Sequence, residues 1–280
     1  MKNRASSSNH ASSYKLQGHR DEYEFSLLLD GDIVSGTGKA DFIDKDKKSY
    51  SIKGGAKKWQ IFLYSRNRFL NDVDFQSDNL GKLFIGSLDC FPDDYSTYKS
   101  HKEEAKKKLL SYFEIYGNKP KDEKEYIDLI GTNNTYLNAK LGLFDANKEI
   151  KQYLSESSNL KKFLQKSIFD NNEVDFWAIK KDSDFLIYDS KEAISILADL
   201  LTPKLSQKIN GRPDDINLAG QKVLLKHNTN ICELEVRNDS EKHYRQIRFN
   251  MYRAKVLDIL NENFTLTGVQ KKNIKFFSKK

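Results

Sequence analysis

Stretches that alternate every second residue and stretches that repeat every third or fourth take turns along this chain of 280 residues, and that interleaving limits the fold more than any single motif does. Strand-like and helix-like periods in succession call for an α/β protein. Lys39 to Asp44 and Ser49 to Gly54 alternate on either side of the polar Lys45-Asp46-Lys47-Lys48, which is the pattern of a β-hairpin, and Gly54-Gly55 ends it. Val174 to Lys180 and Phe185 to Tyr188, around Asp182-Ser183-Asp184, make a second hairpin, and Lys222 to Lys226 with Ile231 to Arg237 a third β region. Helical spacing marks Asp21 to Leu29 through Tyr23, Leu27 and Leu28, with Asp30-Gly31-Asp32 as the stop. It returns over Lys57 to Phe69, over His101 to Tyr116 with Gly117 closing, over Lys191 to Leu201 before Pro203, and through Tyr244, Ile247, Met251, Ala254 and Leu257.

This length has room for one large α/β domain or two modest ones. Polar, Ser-rich Met1 to Ser13 reads as a disordered tail. The loop Asn210-Gly211-Arg212-Pro213 is a candidate boundary, giving a core over 14–205 and a C-terminal region over 206–280 that can also join the core as one domain. No apolar run approaches the roughly 18 residues of a membrane span and no apolar signal core is seen, so the cytoplasm is the expected location. With two cysteines, Cys90 and Cys232, neither a disulfide framework nor a four-cysteine metal site can form within one chain. None of the five histidines pairs at metal-ligand spacing, which argues against zinc hydrolases. A net charge of +7 suits a polyanionic partner, though it also suits a merely soluble surface.

The chemistry concentrates on the first hairpin. Asp41 lies on one strand, and Ser51 and Lys53, two apart on the other, point to one face. Hydrolysis of a phosphodiester needs an activated water, a Lewis acid against the phosphate charge and help for the leaving oxygen. Magnesium prefers oxygen ligands and keeps several waters, so a few protein oxygens suffice. Asp41 is the leading ligand and the Ile52 carbonyl can complete the shell, while the Lys53 ammonium can orient water or stabilise the phosphate. For Asp41 and Lys53 to share a face, the turn between Asp44 and Ser49 has to be of odd length or carry a bulge, pairing Asp41 with Ser51 or Lys53.

Gly38-Lys39-Ala40-Asp41-Phe42-Ile43-Asp44, then Ser49-Tyr50-Ser51-Ile52-Lys53-Gly54-Gly55, then Gln60-Ile61-Phe62-Leu63-Tyr64, with Gly18 and Tyr23-Glu24 upstream, form an ordered set. In this order the segment resembles the PD-(D/E)xK nuclease superfamily, whose core joins an acid-bearing helix, a hairpin carrying an Asp and an acid-x-Lys, and a following helix. Gln60 and Tyr64 look like the Q-x-x-x-Y helix of its RecB-like branch. The resemblance implies a mixed central sheet flanked by helices, a restriction-endonuclease-like core, with a C-terminal α+β DNA-recognition region. It also implies a Mg²⁺ cofactor and catalytic roles for Asp41, Ser51, Lys53, Glu24 and Gln60. The metal would be held by Asp41, Glu24 and the Ile52 carbonyl. Ser51 stands where the family usually carries an acid, which implies a ligand recruited from elsewhere: Glu24 first, then Glu22 and Asp44. Asp44, at odd spacing from Asp41, is left out of the site.

The richest DNA-facing segment is Arg237 to Arg248, where Arg237, Asn238, His243, Arg245 and Arg248 have the chemistry to meet base edges and phosphates. Lys57, Lys58, Arg66 and Arg68 are expected to hold the DNA backbone near the site. Gly36-Thr37-Gly38-Lys39 lacks the leading Gly and following Ser or Thr of a phosphate loop, and Asp214 with Glu233, Glu235 and Arg237 lacks the lysine of a rival site. The expected function is a magnesium-dependent, site-specific endonuclease of double-stranded DNA, similar to type II restriction enzymes. It is expected to act as a homodimer beside a cognate DNA methyltransferase. The alternatives are a RecB-like exonuclease or repair nuclease, and a DNA-binding protein whose site has decayed.

Overall fold

The computed structural model describes residues 18–280 apart from 36–37, 56, 78, 172, 209–210 and 272. The expected tail over 1–13 and Asn210 of the expected boundary lie outside the described residues. The chain begins with helix α1 (residues 18–28) and strands β1 (Gly31–Ile33), β2 (Phe42–Asp44), β3 (Ser49–Lys53) and β4 (Lys58–Ser65). Helices α2 (Arg66–Asn71), α3 (Val73–Ser77), α4 (Leu80–Asp89), α5 (Tyr95–Tyr116), α6 (Glu123–Ile130), α7 (Thr135–Leu154) and α8 (Ser157–Phe169) follow. Next come β5 (Phe176–Lys181), β6 (Asp184–Asp189), α9 (Ser190–Leu200), β7 (Thr202–Leu205), β8 (Lys222–His227) and β9 (Thr229–Arg237). The chain continues through β10 (Gln246–Tyr252), α10 (Arg253–Asn263), β11 (Phe264–Lys271) and β12 (Ile274–Lys279). The protein is thus mixed α/β, with two sheets.

Two compact units emerge, and both are discontinuous. The first comprises Met1–Ile61, Ser157–Leu201 and Met251–Lys280, the second Phe62–Glu156 and Thr202–Asn250. This differs from the expected division into 14–205 and 206–280, because β11 and β12 complete the sheet that the N-terminal strands begin.

In the first unit that sheet has seven strands in the order β1-β2-β3-β5-β6-β12-β11. β1, β2 and β3 form an antiparallel meander, β5 runs parallel to β3, and β12 runs parallel to β6. Helix α1 covers one face: the Phe25 ring lies 5.2 Å from Phe42, 5.4 Å from Tyr50 and 5.0 Å from Phe185. Burying one such ring stabilises the fold by roughly 1.5–3 kcal/mol. The buried line runs Asp21, Phe25, Leu29, whereas Tyr23 is 60% and Leu27 65% exposed. The helical period is as expected, but the inward face is two positions off the Tyr23–Leu27 line, because Phe25 meets an aromatic floor. On the opposite face Trp177 of β5 meets Phe169 of α8 at 5.3 Å, and the Tyr188 hydroxyl of β6 donates to Asn261 of α10 at 3.4 Å.

Lys57 to Phe69 was expected to be helical, and the structure corrects this: β4 occupies most of it. Trp59 and Ile61 are buried while Lys58 and Gln60 are exposed, a period of two in a run rich in aromatic and branched side chains. Likewise Tyr244 to Met251 is not helical, since β10 precedes α10 there.

Strands β4-β10-β9-β8-β7 make a five-stranded sheet, most of it in the second unit. There α5 and α7 meet through Tyr98 and Tyr136, 5.6 Å apart, in a core that includes Phe91, Leu109 and Leu143. Asp94 caps α5 by accepting from the Ser96 and Thr97 amides, and Gly117, at φ 67°, ends it by donating to the Phe113 carbonyl at 2.8 Å. Cys90 is partly buried and Cys232 buried, and both are free thiols. Among the described residues no helix is long and apolar enough to cross a membrane.

Candidate active site

Strands β2 and β3 pair Phe42 with Tyr50 and Ile43 with Ser49. Backbone bonds extend the ladder in both directions, from the Asp41 amide to the Tyr50 carbonyl at 2.8 Å and from the Asp44 amide to the Lys48 carbonyl at 2.9 Å. The turn that remains, Lys45-Asp46-Lys47, is odd, and Lys47 takes the left-handed conformation at φ 62°. The register therefore sets Asp41 opposite Ser51, as expected for a shared face. Asp44 belongs to the turn: it accepts from the Asp46 and Lys48 amides and from the Tyr50 hydroxyl, each at 2.9 Å.

Three donors converge on one oxygen of Asp41. Its Oδ2 accepts from the Ile52 amide at 2.7 Å, the Lys53 ammonium at 3.2 Å and the Ser51 hydroxyl at 3.3 Å. Lys53 also donates to the Ile52 carbonyl at 3.2 Å. The side chains of Asp41 and Lys53 are 22% and 25% exposed, so they are neither sealed in the core nor fully solvated. Ser51 is buried, and its neutral hydroxyl serves to orient Asp41.

Asp41, Ile52 and Lys53 open onto a cavity of about 680 Å³ in the first unit. Gln60, Lys57 and Lys58 also line it, together with Asp21 and Glu22 of α1. Gln60 reaches it from a strand, so the Gln60–Tyr64 pair is not the helical element expected. Tyr64 instead stacks on Phe62, with ring centroids 4.5 Å apart.

Glu24, the acid expected from α1, lies outside the lining of the cavity, and Asp21 lies within it. The Glu24 Oε2 accepts from Lys180 at 2.5 Å and its side chain is 44% exposed. Asp21, three residues earlier, is 1% exposed and shares the same lysine at 2.9 Å. Lys180 follows Ile179, the residue opposite Lys53 on the neighbouring strand, and so pins α1 across the end of β3. Gly54 permits this approach, because a Cβ there would collide with the Asp21 carboxylate. A glycine directly after the S-x-K element was the sequence signal for this close approach.

Lys39 is a second residue that sequence reasoning missed. It lines the cavity, and its ammonium donates to the Ile61 carbonyl at 2.9 Å. Burial, and next the repulsion from Lys53, lower its pKa to about 8, against the opposing pull of Asp170 and Asp41.

In the second unit the arginines expected to meet DNA are held by carboxylates. Arg66 binds Asp89 at 2.9 Å, Arg68 lies 3.8 Å from Asp72, and Arg237 grips Asp239 at 2.6 and 2.7 Å. Arg245 reaches Asp89 at 2.5 Å and also pairs with Asp93, and Arg248 pairs with Glu235. Burial pushes the Asp89 carboxyl up, but Arg66 and Arg245 outweigh it and hold it below the usual range. Asn238 and His243 are partly exposed in the same segment.

Among the described residues no three His, Cys, Asp or Glu side chains are grouped as a metal cage. The donor set still suits magnesium, which needs few protein oxygens. An Asp41 oxygen and the Ile52 carbonyl already share one cation, the Lys53 ammonium, so both oxygens face a common position.

Fold and site together define a two-unit α/β protein with an Asp–Lys pair at the mouth of a lysine-lined cavity. No protein-family model matches the chain, and no curated protein matches it.

Proposed function

We propose that this protein is a magnesium-dependent endodeoxyribonuclease of double-stranded DNA, with the first unit as a restriction-endonuclease-like core. The observation that carries the reading is the convergence of Asp41, Lys53 and the Ile52 carbonyl on a cavity whose wall adds Lys39, Lys57 and Lys58. The chain order supports it: an acid-bearing α1, an antiparallel meander carrying Asp41 and Ser51-Ile52-Lys53, and α8 leading into β5 parallel to β3. The RecB-like alternative loses the helical Gln60–Tyr64 feature that favoured it.

Asp41 and the Ile52 carbonyl would hold the magnesium ion, with Asp21 in the role first expected of Glu24. Bound there, the ion supplies charge neutralisation at the phosphate and activation of water. The side chains of the chain do the positioning. The Ile52 amide and Ser51 hydroxyl fix the Asp41 carboxylate, and Lys53 places an ammonium where negative charge grows in the transition state. Lys57 and Lys58, exposed on the cavity wall, neutralise backbone phosphates. Base reading falls to Arg237, Asn238, His243, Arg245 and Arg248, and the guanidiniums of the three arginines must exchange carboxylates for base edges. Cutting both strands with one site per chain calls for two chains, and a methyltransferase of the same specificity to protect the host's own DNA.

Incubation of the purified protein and Mg²⁺ with closed circular plasmid tests the reading. Discrete bands are expected, with Asp41→Ala and Lys53→Ala binding DNA in Ca²⁺ but cutting at least about 100-fold more slowly. DNA binding without cleavage would leave the decayed-site alternative standing, and ragged degradation from ends alone would favour an exonuclease.

A further inference from the structure

Lys39 brings to the cavity a positive charge that no neighbouring carboxylate pairs with. The strongest charges felt by Lys39 come from two carboxylates, Asp41 and Asp170, and two ammoniums, Lys53 and Lys166, while the cavity wall adds Asp21, bound by Lys180 at 2.9 Å, and Glu22, 3.2 Å from His19. Each of the first two carboxylates is also taken: Asp41 by Lys53 at 3.2 Å, and Asp170 by Lys166 at 2.5 Å. Among the described residues no carboxylate reaches Lys39 within ion-pair distance, and its bonded partner is the neutral Ile61 carbonyl. An ammonium has three donors, and a carbonyl satisfies one of them. A half-buried cation without its own anion is unfavourable in the empty cavity and becomes favourable when an anion enters. Lys57 and Lys58 on the same wall add to the attraction, and both are exposed.

We propose that Lys39 binds the phosphodiester group of the substrate in this cavity, anchoring it beside Lys53 without taking part in proton transfer. The proposal rests on the nuclease reading for its substrate, DNA, but the phosphate site can be tested apart from cleavage. Lys39 holds the phosphate and Lys53 acts on the reacting charge, so the two lysines separate kinetically: loss of Lys39 weakens binding, and loss of Lys53 slows the chemical step.

The test compares wild type, Lys39→Gln and Lys39→Arg for binding to a 20-base-pair duplex in Ca²⁺ across a salt series, and for binding to inorganic pyrophosphate. Thermal unfolding checks that each variant is folded. Lys39→Gln is expected to weaken duplex binding about tenfold and reduce the salt slope by about one phosphate's worth, and Lys39→Arg to stay within about threefold of wild type. In Mg²⁺, Lys39→Gln should raise KM with kcat changed less than about threefold. Wild-type affinity in Lys39→Gln, or equal weakening in both variants, would overturn the proposal. Pyrophosphate bound through Lys39 by a protein that neither binds nor cuts DNA would keep the phosphate site and discard the nuclease reading. Failure of wild type to bind either ligand would discard both.

Discussion

At the scale of single residues, the site turns on which acid of α1 serves it. Asp21 lies on the cavity wall against Gly54, and Glu24 sits on Lys180 at 2.5 Å without lining the cavity. Asp21→Asn is therefore expected to lower the cleavage rate at least tenfold, and Glu24→Gln to stay within about threefold of wild type. Plasmid cleavage rates decide it, and the opposite ranking would return the role to Glu24. Lys39 gives a pH signature in stability. Its folded pKa of about 8 is below the ordinary 10.5, so between those values the folded state has lost a proton that the unfolded chain keeps. Stability conferred through this group then rises with pH across that window. Replacing it by Met should stabilise the protein most below pH 8 and progressively less toward pH 10.5. Denaturant unfolding at several pH values measures this difference, and a gap that stays constant would contradict it.

Among the elements, α1 shows how a period can be read correctly and its face misread. Phe25→Ala should cost about 3–5 kcal/mol, since three aromatic neighbours lose their contact, whereas Tyr23→Ala should change stability by less than about 0.5 kcal/mol. Urea denaturation of the two variants tests the assignment. The strands of the first hairpin were legible because alternation is a local property, whereas the odd turn was inferred from the need of Asp41 and Lys53 to share a face, since the four polar residues Lys45 to Lys48 conceal that Lys48 joins the ladder. Trp59 to Tyr64 was not legible: the period of two lasts only from Lys58 to Ile61 before the run Ile61 to Tyr64 turns continuously apolar, too short to tell strand from helix, and the pairing of β4 with β10 joins residues nearly two hundred positions apart. Lys39 was overlooked for a similar reason, since its significance lies in Asp170 and Lys166 being spoken for, which no nearby residue reveals. The same holds for Arg245 and Arg248, whose carboxylates, Asp89 and Glu235, come from other elements, whereas Asp239 stands two residues from Arg237 in the sequence.

For the whole molecule, the decisive fact is that the first unit draws on three separate stretches of chain. β6 pairs with β5 on one side and, through the distant β12, on the other. Removing residues 264–280 should leave the edge of β6 open and produce an aggregating protein, a result that light scattering and size-exclusion chromatography would detect. A truncated protein that remained monomeric with unchanged thermal stability would show that β11 and β12 are dispensable.

The same pairing sets a timetable for synthesis. Translation at about 5–20 residues per second puts an interval on the order of ten seconds between the emergence of β6 and that of β12. Throughout it Phe185, Leu186, Ile187 and Tyr188 have no strand on that side to close against. The yield of folded protein should therefore depend on how fast the ribosome moves and on which chaperone attends the nascent chain, even where the finished protein is stable.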